Sequence, residues 1–332
     1  FKERYSALVN HGPLHSSVPG HLRGEFVERA RCALQELVHG PLGLQSTSLL
    51  SLLELPGRML QRQIKHHNTQ HKYNTRSKDT NINSCMYHIR NGHIRKAVQT
   101  LIRNNDLNDK LSAEEFINAG TKLHPQVERG IPKPPLGSTC PNIDLRNGND
   151  RALFERCVRD RDNGSAPGPS GWTGRMQSLL VKKEETKQLL ADFWSMMQRG
   201  EISEQCQDIL KGSLLSLIRK DSSSDKRRPV AATEIFYRGI TTYAVRQCKQ
   251  AIHGIFAPIQ LGMAKGGCER VLHTLQFMLN NRTSGRRKVA VTVDFTNAFN
   301  TVNRETMMHA LYEQHQLSSI FHLAYWAYSA PS

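Results

Sequence analysis

The sequence predicts an α+β protein with a helical front part and a mixed back part. Three patterns lead to this expectation. Apolar residues recur at helical spacing over residues 22–37, a strand–turn–strand pattern covers residues 214–230, and valines alternate over residues 289–293.

Composition divides the chain of 332 residues into three parts. We expect a mainly helical region over residues 1–135 and a linker over residues 136–150, because residues 130–150 are rich in proline and glycine. Residues 151–332 then form the second, mixed domain. Hydrophobic residues make up 38% of the chain, which is enough for a sizeable core.

The first region reads as consecutive helices. After the helix over residues 22–37, a Gly-Pro pair at 40–41 marks a turn. A second helix over residues 46–55 is expected to end at the Pro-Gly pair 56–57. A further helix is predicted over residues 86–104.

Local capping signals place other helices. Ser112 and Glu115 have the spacing of a capping box, and Asn303 is the expected N-cap of a helix over residues 304–312. The remaining predicted helices cover residues 151–160 and 183–198.

Residues 62–84 differ from their surroundings because they are polar and basic. Little in this segment suits a core, so it is predicted to be an extended arm that lies on phosphates, or else a solvated loop. The cations of this basic arm are Arg62, Lys65, Lys72, Arg76 and Lys78.

The formal net charge is +16, and the positive charge is spread along the chain. This distribution suits a long polyanion contacted at many phosphates, so RNA is the expected partner. An acidic membrane surface and a basic protein without a nucleic-acid partner are the alternatives. Because no run of about 18 apolar residues occurs, we expect no membrane-spanning helix and no membrane partner.

The seven cysteines are widely spaced, odd in number and without a CxxC pair. They indicate free thiols in a reducing compartment. A zinc site built from Cys85, His88 and His93 is an alternative, but its spacing is irregular and a fourth ligand is unclear.

Two segments of the second half have backbone or charge suited to a ligand. Residues 165–172 (SAPGPSGW) predict a rigid, sharply turned loop that lets the backbone approach a ligand, although most such loops are only turns. The hairpin over residues 214–230 has cations on both flanks, which suits a triphosphate. A solvated basic turn is the alternative.

Two further segments follow in order. Residues 260–270 contain glycines that are expected to open a helix, where backbone N–H groups bind phosphate. The valine strand after them ends at Asp294, a position suited to Mg²⁺ beside the phosphates of a nucleotide. A carboxylate at a strand end also serves simply as a cap or turn residue.

Taken together and in this order, the four segments resemble the fingers and first palm motif of reverse transcriptases of the non-LTR retrotransposon type. The resemblance covers roughly residues 165–312. The helical region before it, with residues 92–97 and 123–125, is also similar to the lead-in of that group. An incomplete fingers/palm unit is therefore the fold expected for the second domain.

The resemblance implies roles for single residues. Asp294 matches the first catalytic, metal-binding aspartate of the palm, with Mg²⁺ as its ion. Phe299 matches the aromatic gate against the 2′-hydroxyl of an incoming ribonucleotide, and Asn300 departs from the commoner aspartate. The other residues that it assigns to nucleotide or RNA binding are Lys220, Arg227, Arg228, Gly168, Gly171, Gln260, Gly266, Gly267 and Arg270.

The second palm motif of that family, Tyr/Phe-x-Asp-Asp, is not in the sequence given, which has no Asp-Asp pair. Two-metal catalysis requires several carboxylates, so we expect no DNA polymerisation by this chain alone. The favoured interpretation is an RNA-binding structural component of a large ribonucleoprotein, such as a mitochondrial ribosome, derived from a truncated, non-catalytic reverse transcriptase. The alternative is part of an active RNA-directed DNA polymerase whose remaining palm is elsewhere.

These interpretations differ in location and share one partner prediction. The first implies the mitochondrion, and the alternative location is nuclear or cytoplasmic. In both, the strand over residues 289–294 has an unpaired edge, which we expect RNA, another protein chain or a terminal segment to cover. The aromatic cluster at residues 325–328 is predicted to be core or a partner contact.

Overall fold

The structure is a computed structural model, and it describes most of the chain in ten stretches. These are residues 7–61, 85–86, 111–123, 140, 142–160, 166–219, 227–257, 259–280, 289–295 and 298–328.

Helices dominate the described residues. In chain order they are α1 (Arg23–His39), α2 (Gln45–Leu53), α3 (Leu55–Met59), α4 (Ala113–Leu123), α5 (Gly148–Arg159), α6 (Gly174–Leu180), α7 (Glu184–Arg199), α8 (Glu204–Lys211), α9 (Ile235–Gln247), α10 (Lys249–Phe256), α11 (Gly267–Asn280), α12 (Arg304–Glu313) and α13 (Ser318–Tyr328). Two strands, β1 (Ser213–Arg219) and β2 (Arg227–Thr233), form a small antiparallel sheet. In the sequence they follow α8 and precede α9. The fold is thus α+β in the broad sense.

Contacts along the chain define two compact units. The first unit comprises residues 1–61, 123–214 and 232–332, and the second comprises residues 62–122 and 215–231.

The core of the first unit is built around aromatic side chains. Trp172 contacts Phe26 and Phe236, with ring centroids 5.0 and 5.1 Å apart, and Trp194 contacts Phe154 at 4.9 Å. All five rings are buried. Residues on both sides of the predicted linker at 136–150 therefore contribute to one core.

The helices predicted over residues 22–37 and 46–55 are confirmed as α1 and α2, and a third helix follows them. The buried residues Phe26, Ala30, Leu34 and Leu37 lie on one face of α1, as their spacing predicted. The predicted helix over residues 46–55 is α2, which ends at Leu53, but Pro56 does not stop helix formation, because α3 begins at Leu55 and carries Pro56 in its first turn. Proline is tolerated there, since its missing N–H has no partner in a first helical turn.

Capping signals predicted helix starts correctly in both units. Ser112 Oγ accepts from Glu115 N at 3.2 Å, and Glu115 Oε2 accepts from Ser112 N at 2.9 Å, which completes the capping box of α4. Asn303 Oδ1 accepts from Thr306 N at 2.7 Å at the start of α12. The helices predicted at 151–160 and 183–198 are α5 and α7.

The predicted strand over residues 289–294 is wrong. Residues 289–295 form no strand, and the side chains of Val289, Val291 and Val293 are 82%, 80% and 68% exposed. A strand requires a hydrogen-bonded neighbour, and none of the described residues pairs with this segment. No terminal segment within the described residues covers it either.

Of the C-terminal aromatic cluster at residues 325–328, Trp326 belongs to the core, which is one of the two predicted alternatives, whereas Tyr328 is 42% exposed. Trp326 of α13 is 2% exposed, and its Nε1 donates to Met197 O at 3.1 Å. Tyr237 of α9 lies against it, with ring centroids 5.2 Å apart. Helix α13 is therefore fixed between α7 and α9.

Two further features concern the cysteines and the helices of the described part of the chain. All seven cysteines are free. None of the helices in the described ranges has both the length and the apolar character needed to span a bilayer.

Candidate functional site

The loop rich in glycine and proline is an ordered turn on the core of the first unit. Gly171 N donates to Gly168 O at 3.0 Å, and Gly171 has a φ of 77°, a region that favours glycine. Thr173 Oγ1 then accepts from Met176 N at 3.4 Å and caps α6. Residues 168–171, called the GPSG turn below, are buried.

A buried carboxyl group holds this turn. Glu234 lies between β2 and α9 and has no exposed surface. Its Oε1 accepts from Ser170 N at 2.8 Å, and its Oε2 accepts from Ser170 Oγ at 2.5 Å. Burial raises the pKa of Glu234 to about 7, although the hydrogen bonds from Ser170 act in the opposite direction. The group that fixes the turn therefore titrates near neutral pH.

The turn also packs directly on the backbone that enters α9. A Cβ atom at Gly168 would lie 2.6 Å from Thr233 O and 2.8 Å from Glu234 N. Arg238, one helical turn into α9, donates from Nη2 to Ala166 O at 2.9 Å, and partial burial lowers its pKa. The packing of Gly168 and the hydrogen bond of Arg238 thus hold the loop that contains the GPSG turn against the start of α9.

The N-terminal segment covers the other side of the turn. His11 Nε2 lies 3.1 Å from Pro169 O, and a Cβ atom at Gly171 would lie 2.4 Å from Leu14 Cδ1. Gly168 and Gly171 are therefore buried, and Ala166 marks the solvent-exposed part of the loop. Ligand contact by the two glycines stays a prediction.

The predicted basic hairpin forms in the second unit. Strand β2 begins with Arg227 and Arg228, and the Arg228 side chain is exposed. The pKa of Glu115 is lowered first by the hydrogen bonds of its capping box and further by the charge of Arg227. Gly120 of α4 faces the hairpin, since a Cβ atom there would lie 3.6 Å from Leu215 Cδ2. Helix α4 thus supports a hairpin that carries cations.

The segment over residues 260–270 forms a compact turn before α11. Gln260 Oε1 accepts from Gly262 N at 2.9 Å, and Gly266 has a φ of 67°. Gly267 opens α11 as predicted, and a Cβ atom there would lie 1.8 Å from Leu261 O. Gln260 and the exposed Arg270 line the same cavity between α10 and α11.

Asp294 and Phe299 are both at the surface. Asp294 is exposed, and the Phe299 side chain is 98% exposed. Among the described residues, no three His, Cys, Asp or Glu side chains form a group able to hold a metal ion. Metal binding by Asp294 stays a prediction.

Several predicted site residues lie outside the described residues. They are the basic arm at 62–84, Lys220, and the histidines of the alternative zinc site, His88 and His93. Cys85, the third member of that zinc alternative, is described and buried.

No sequence pattern marked Glu234 as a site residue. Locally it is an acid between a basic hairpin and the apolar start of α9. Its burial depends on Ser170, which is 64 residues earlier in the chain. The contact is therefore tertiary, and local spacing carries no signal for it.

No protein-family model, curated protein or solved structure matches the chain.

Proposed function

We propose that this chain binds RNA through the basic, fingers-like part of a reverse-transcriptase unit of the non-LTR retrotransposon type. The observation that carries the proposal is the hairpin β1–β2, which forms where the sequence predicted it and presents Arg228 to solvent. The planar guanidinium of arginine matches the oxygens of phosphate, so an exposed arginine on the hairpin favours a polyanion.

Three further features support RNA as the polyanion. The net charge of +16 attracts phosphates along the whole chain. The GPSG turn and the turn at 260–270 are both ordered in the first unit, and both belong to the segments that resemble the reverse-transcriptase fingers. The turns need no ordering when a strand binds, which lowers the entropic cost of association.

The RNA proposal predicts a change in salt dependence when the hairpin loses its cations. The variant R227A/R228A should bind single-stranded RNA about ten-fold more weakly at about 0.1 M salt, because two phosphate contacts are lost. The slope of log affinity against log salt should fall by about 1.4, or roughly 0.7 for each contact. Fluorescence anisotropy with a labelled RNA strand at several salt concentrations measures both quantities.

A matched control is available on α5. Arg156 and Arg159 are exposed there, and the variant R156A/R159A removes the same charge from a helix of the first unit. It should keep most of the wild-type slope. Equal losses in the two variants would show that the hairpin has no special role, and wild-type protein that binds no RNA would overturn the proposal.

The surface residues Asp294 and Phe299 favour RNA-directed DNA synthesis as a second candidate function. An aromatic ring that is 98% exposed contributes nothing to the core, and it lies five residues after an exposed carboxylate. The resemblance assigns this pair to metal binding and to rejection of the ribonucleotide 2′-hydroxyl. A single carboxylate suits Mg²⁺ when phosphate oxygens complete the coordination, so the ion would arrive with a nucleotide and with the remaining palm carboxylates.

Nucleotide binding separates this candidate from a structural role in a ribonucleoprotein. If the second candidate holds, the wild-type chain should bind a deoxynucleoside triphosphate with Mg²⁺ roughly ten-fold more tightly than the ribonucleotide, because the ring at Phe299 occupies the space of the extra oxygen. The Phe299→Ala variant should lose this preference, as measured by calorimetric titration with each nucleotide. RNA binding without any nucleotide binding would instead favour the structural component.

A further inference from the structure

We propose, on the basis of the RNA binding proposed above, that the cavity between α10 and α11 holds one unpaired nucleotide of a single RNA strand. The base lies on the Phe256 ring, and the phosphates lie on the surrounding cations. Neither the sequence patterns nor the resemblance assigned a role to the α10 side of this cavity.

The size of the cavity limits what it can hold. Its volume is about 130 Å³. This volume is well below the roughly 300–1,000 Å³ of sites for drug-sized ligands. A single small ring system therefore fits, and a complete dinucleotide cofactor does not.

One wall is a single face of α10. Lys249, Ile252, His253 and Phe256 line the cavity, and their spacing of three, four and seven residues places them along one side of the helix. Phe256 is 45% exposed, so its ring is partly open to a ligand. Aromatic rings on which bases stack are a general device for binding single strands.

The opposite wall is the compact turn before α11. Gln260 N donates to Phe256 O at 2.8 Å, and Ala264 N donates to Leu261 O at 3.0 Å. Gly267 lets the start of α11 approach Leu261 O, a distance that no side chain would permit. These contacts form the cavity in the free protein, so binding of a base has only a small entropic cost for ordering the cavity walls.

The rim of the cavity carries positive charge that is free to meet phosphate. The charge comes from Lys249 and Arg270, which are exposed, as is the neighbouring His253. None of the ion pairs between described residues involves these three side chains. A lysine and an arginine on opposite walls suit the phosphates on the two sides of one nucleotide.

The apolar floor of the cavity and its positively charged rim together determine which ligands it can bind. Ile252, Phe256 and Leu261 give an apolar floor, which inorganic phosphate would leave unused. An apolar ligand without charge would leave the cations without partners. A nucleotide within a strand uses both parts, because each of its bases has a flat apolar face and each of its linkages has a negative charge.

Binding of two matched oligomers tests the subsite. The probes are an oligouridylate of about 12 nucleotides and an abasic ribose-phosphate oligomer of the same length, within the range of single-strand site sizes. The Phe256→Ala variant should bind the oligouridylate about ten-fold more weakly, because base–aromatic stacking is lost, and should bind the abasic oligomer as the wild-type protein does. The control is Phe277→Ala, since Phe277 is 68% exposed on α11 and does not line the cavity.

The outcomes separate this subsite from the RNA proposal as a whole. The wild-type protein is first expected to bind both oligomers. If it does, and Phe256→Ala keeps the wild-type affinity for the oligouridylate, the subsite is overturned and the RNA-binding proposal stands. Equal weakening for both oligomers would also overturn it, because the ring would then not act through the base. Uridine monophosphate that binds as tightly as the oligouridylate would show a site for free nucleotides instead of a strand. Failure of the wild-type protein to bind either oligomer would overturn both proposals.

Discussion

The Glu234→Gln variant is expected to be about 3 kcal/mol more stable than the wild-type protein at about pH 8, and equally stable near pH 4. The difference arises because the carboxyl group of Glu234 must ionise at high pH while it is fully buried. Glutamine keeps an acceptor for Ser170 N and has nearly the same shape, but it carries no charge to bury.

The sign of this effect follows from the direction of the pKa shift. Burial raises the pKa of Glu234 to about 7, compared with 4.5 for an unperturbed glutamate. Between these two values the unfolded chain has lost the proton and the folded chain has kept it, so stability falls as the pH rises. Each unit of pKa shift corresponds to about 1.4 kcal/mol, and the loss is complete above about pH 7.

The free energy of unfolding in urea at several pH values measures this effect. The three tryptophans Trp172, Trp194 and Trp326 are buried and give a fluorescence signal for unfolding. Histidines and other carboxylates titrate in the same experiments, so the difference between variant and wild type isolates Glu234. The control is Glu36→Gln, since the Glu36 side chain is exposed on α1.

The result bears on the candidate site because Glu234 holds the GPSG turn. Parallel stability curves for Glu234→Gln and wild type would mean that the carboxyl group is not buried in solution. The turn would then be loose, and a preformed turn would no longer support the proposed function. A curve for Glu36→Gln that matches that of Glu234→Gln would likewise remove the special role of the buried group.

Local chemistry in the sequence predicted much of the fold. Ser112 and Glu115 mark the start of α4, and Asn303 marks the start of α12, because capping requires only residues three positions apart. The hairpin was predicted by the same kind of local pattern, with a polar turn between two short runs. Helix α1 was predicted by the spacing of its apolar residues.

Features that depend on distant partners were not predicted correctly. The valines at 289–293 alternate as in a strand, but alternation does not supply a neighbouring strand, and none of the described residues pairs with them. Glu234 is the converse case. No local sequence pattern marked it as a site residue, and a turn far away in the chain buries it. The two turns were therefore predicted from the sequence, the buried group that holds one of them was missed, and a ligand-binding role for the turns stays a prediction.

The Trp172→Ala variant is expected to lose about 3–5 kcal/mol of stability. Trp172 follows the GPSG turn directly and is fully buried. Its ring contacts Phe26 of α1 and Phe236 of α9, and its Nε1 donates to Leu52 O of α2 at 2.9 Å. Truncation leaves a large cavity where three helices meet and removes the hydrogen bond to a buried carbonyl group.

A graded series separates packing from hydrogen bonding. The Trp172→Phe variant keeps an aromatic ring between the three helices but cannot donate to Leu52 O. It should therefore lose roughly 1–3 kcal/mol, which lies below the loss in Trp172→Ala. Urea unfolding at a fixed pH measures both variants. Phe299→Ala is the control, because Phe299 is 98% exposed and its removal should change stability by less than about 0.5 kcal/mol.

The stability losses of the three variants, compared with one another, show how the GPSG turn is held. If Trp172→Ala loses far more than Phe299→Ala, the residue after the turn is anchored in the core, and the turn keeps its shape without a ligand. If the two variants lose similar amounts, Trp172 is not packed as described, and the turn has no fixed support on that side. In that case a strand of RNA would have to order the turn as it binds, and the affinity expected for a preformed site would fall accordingly.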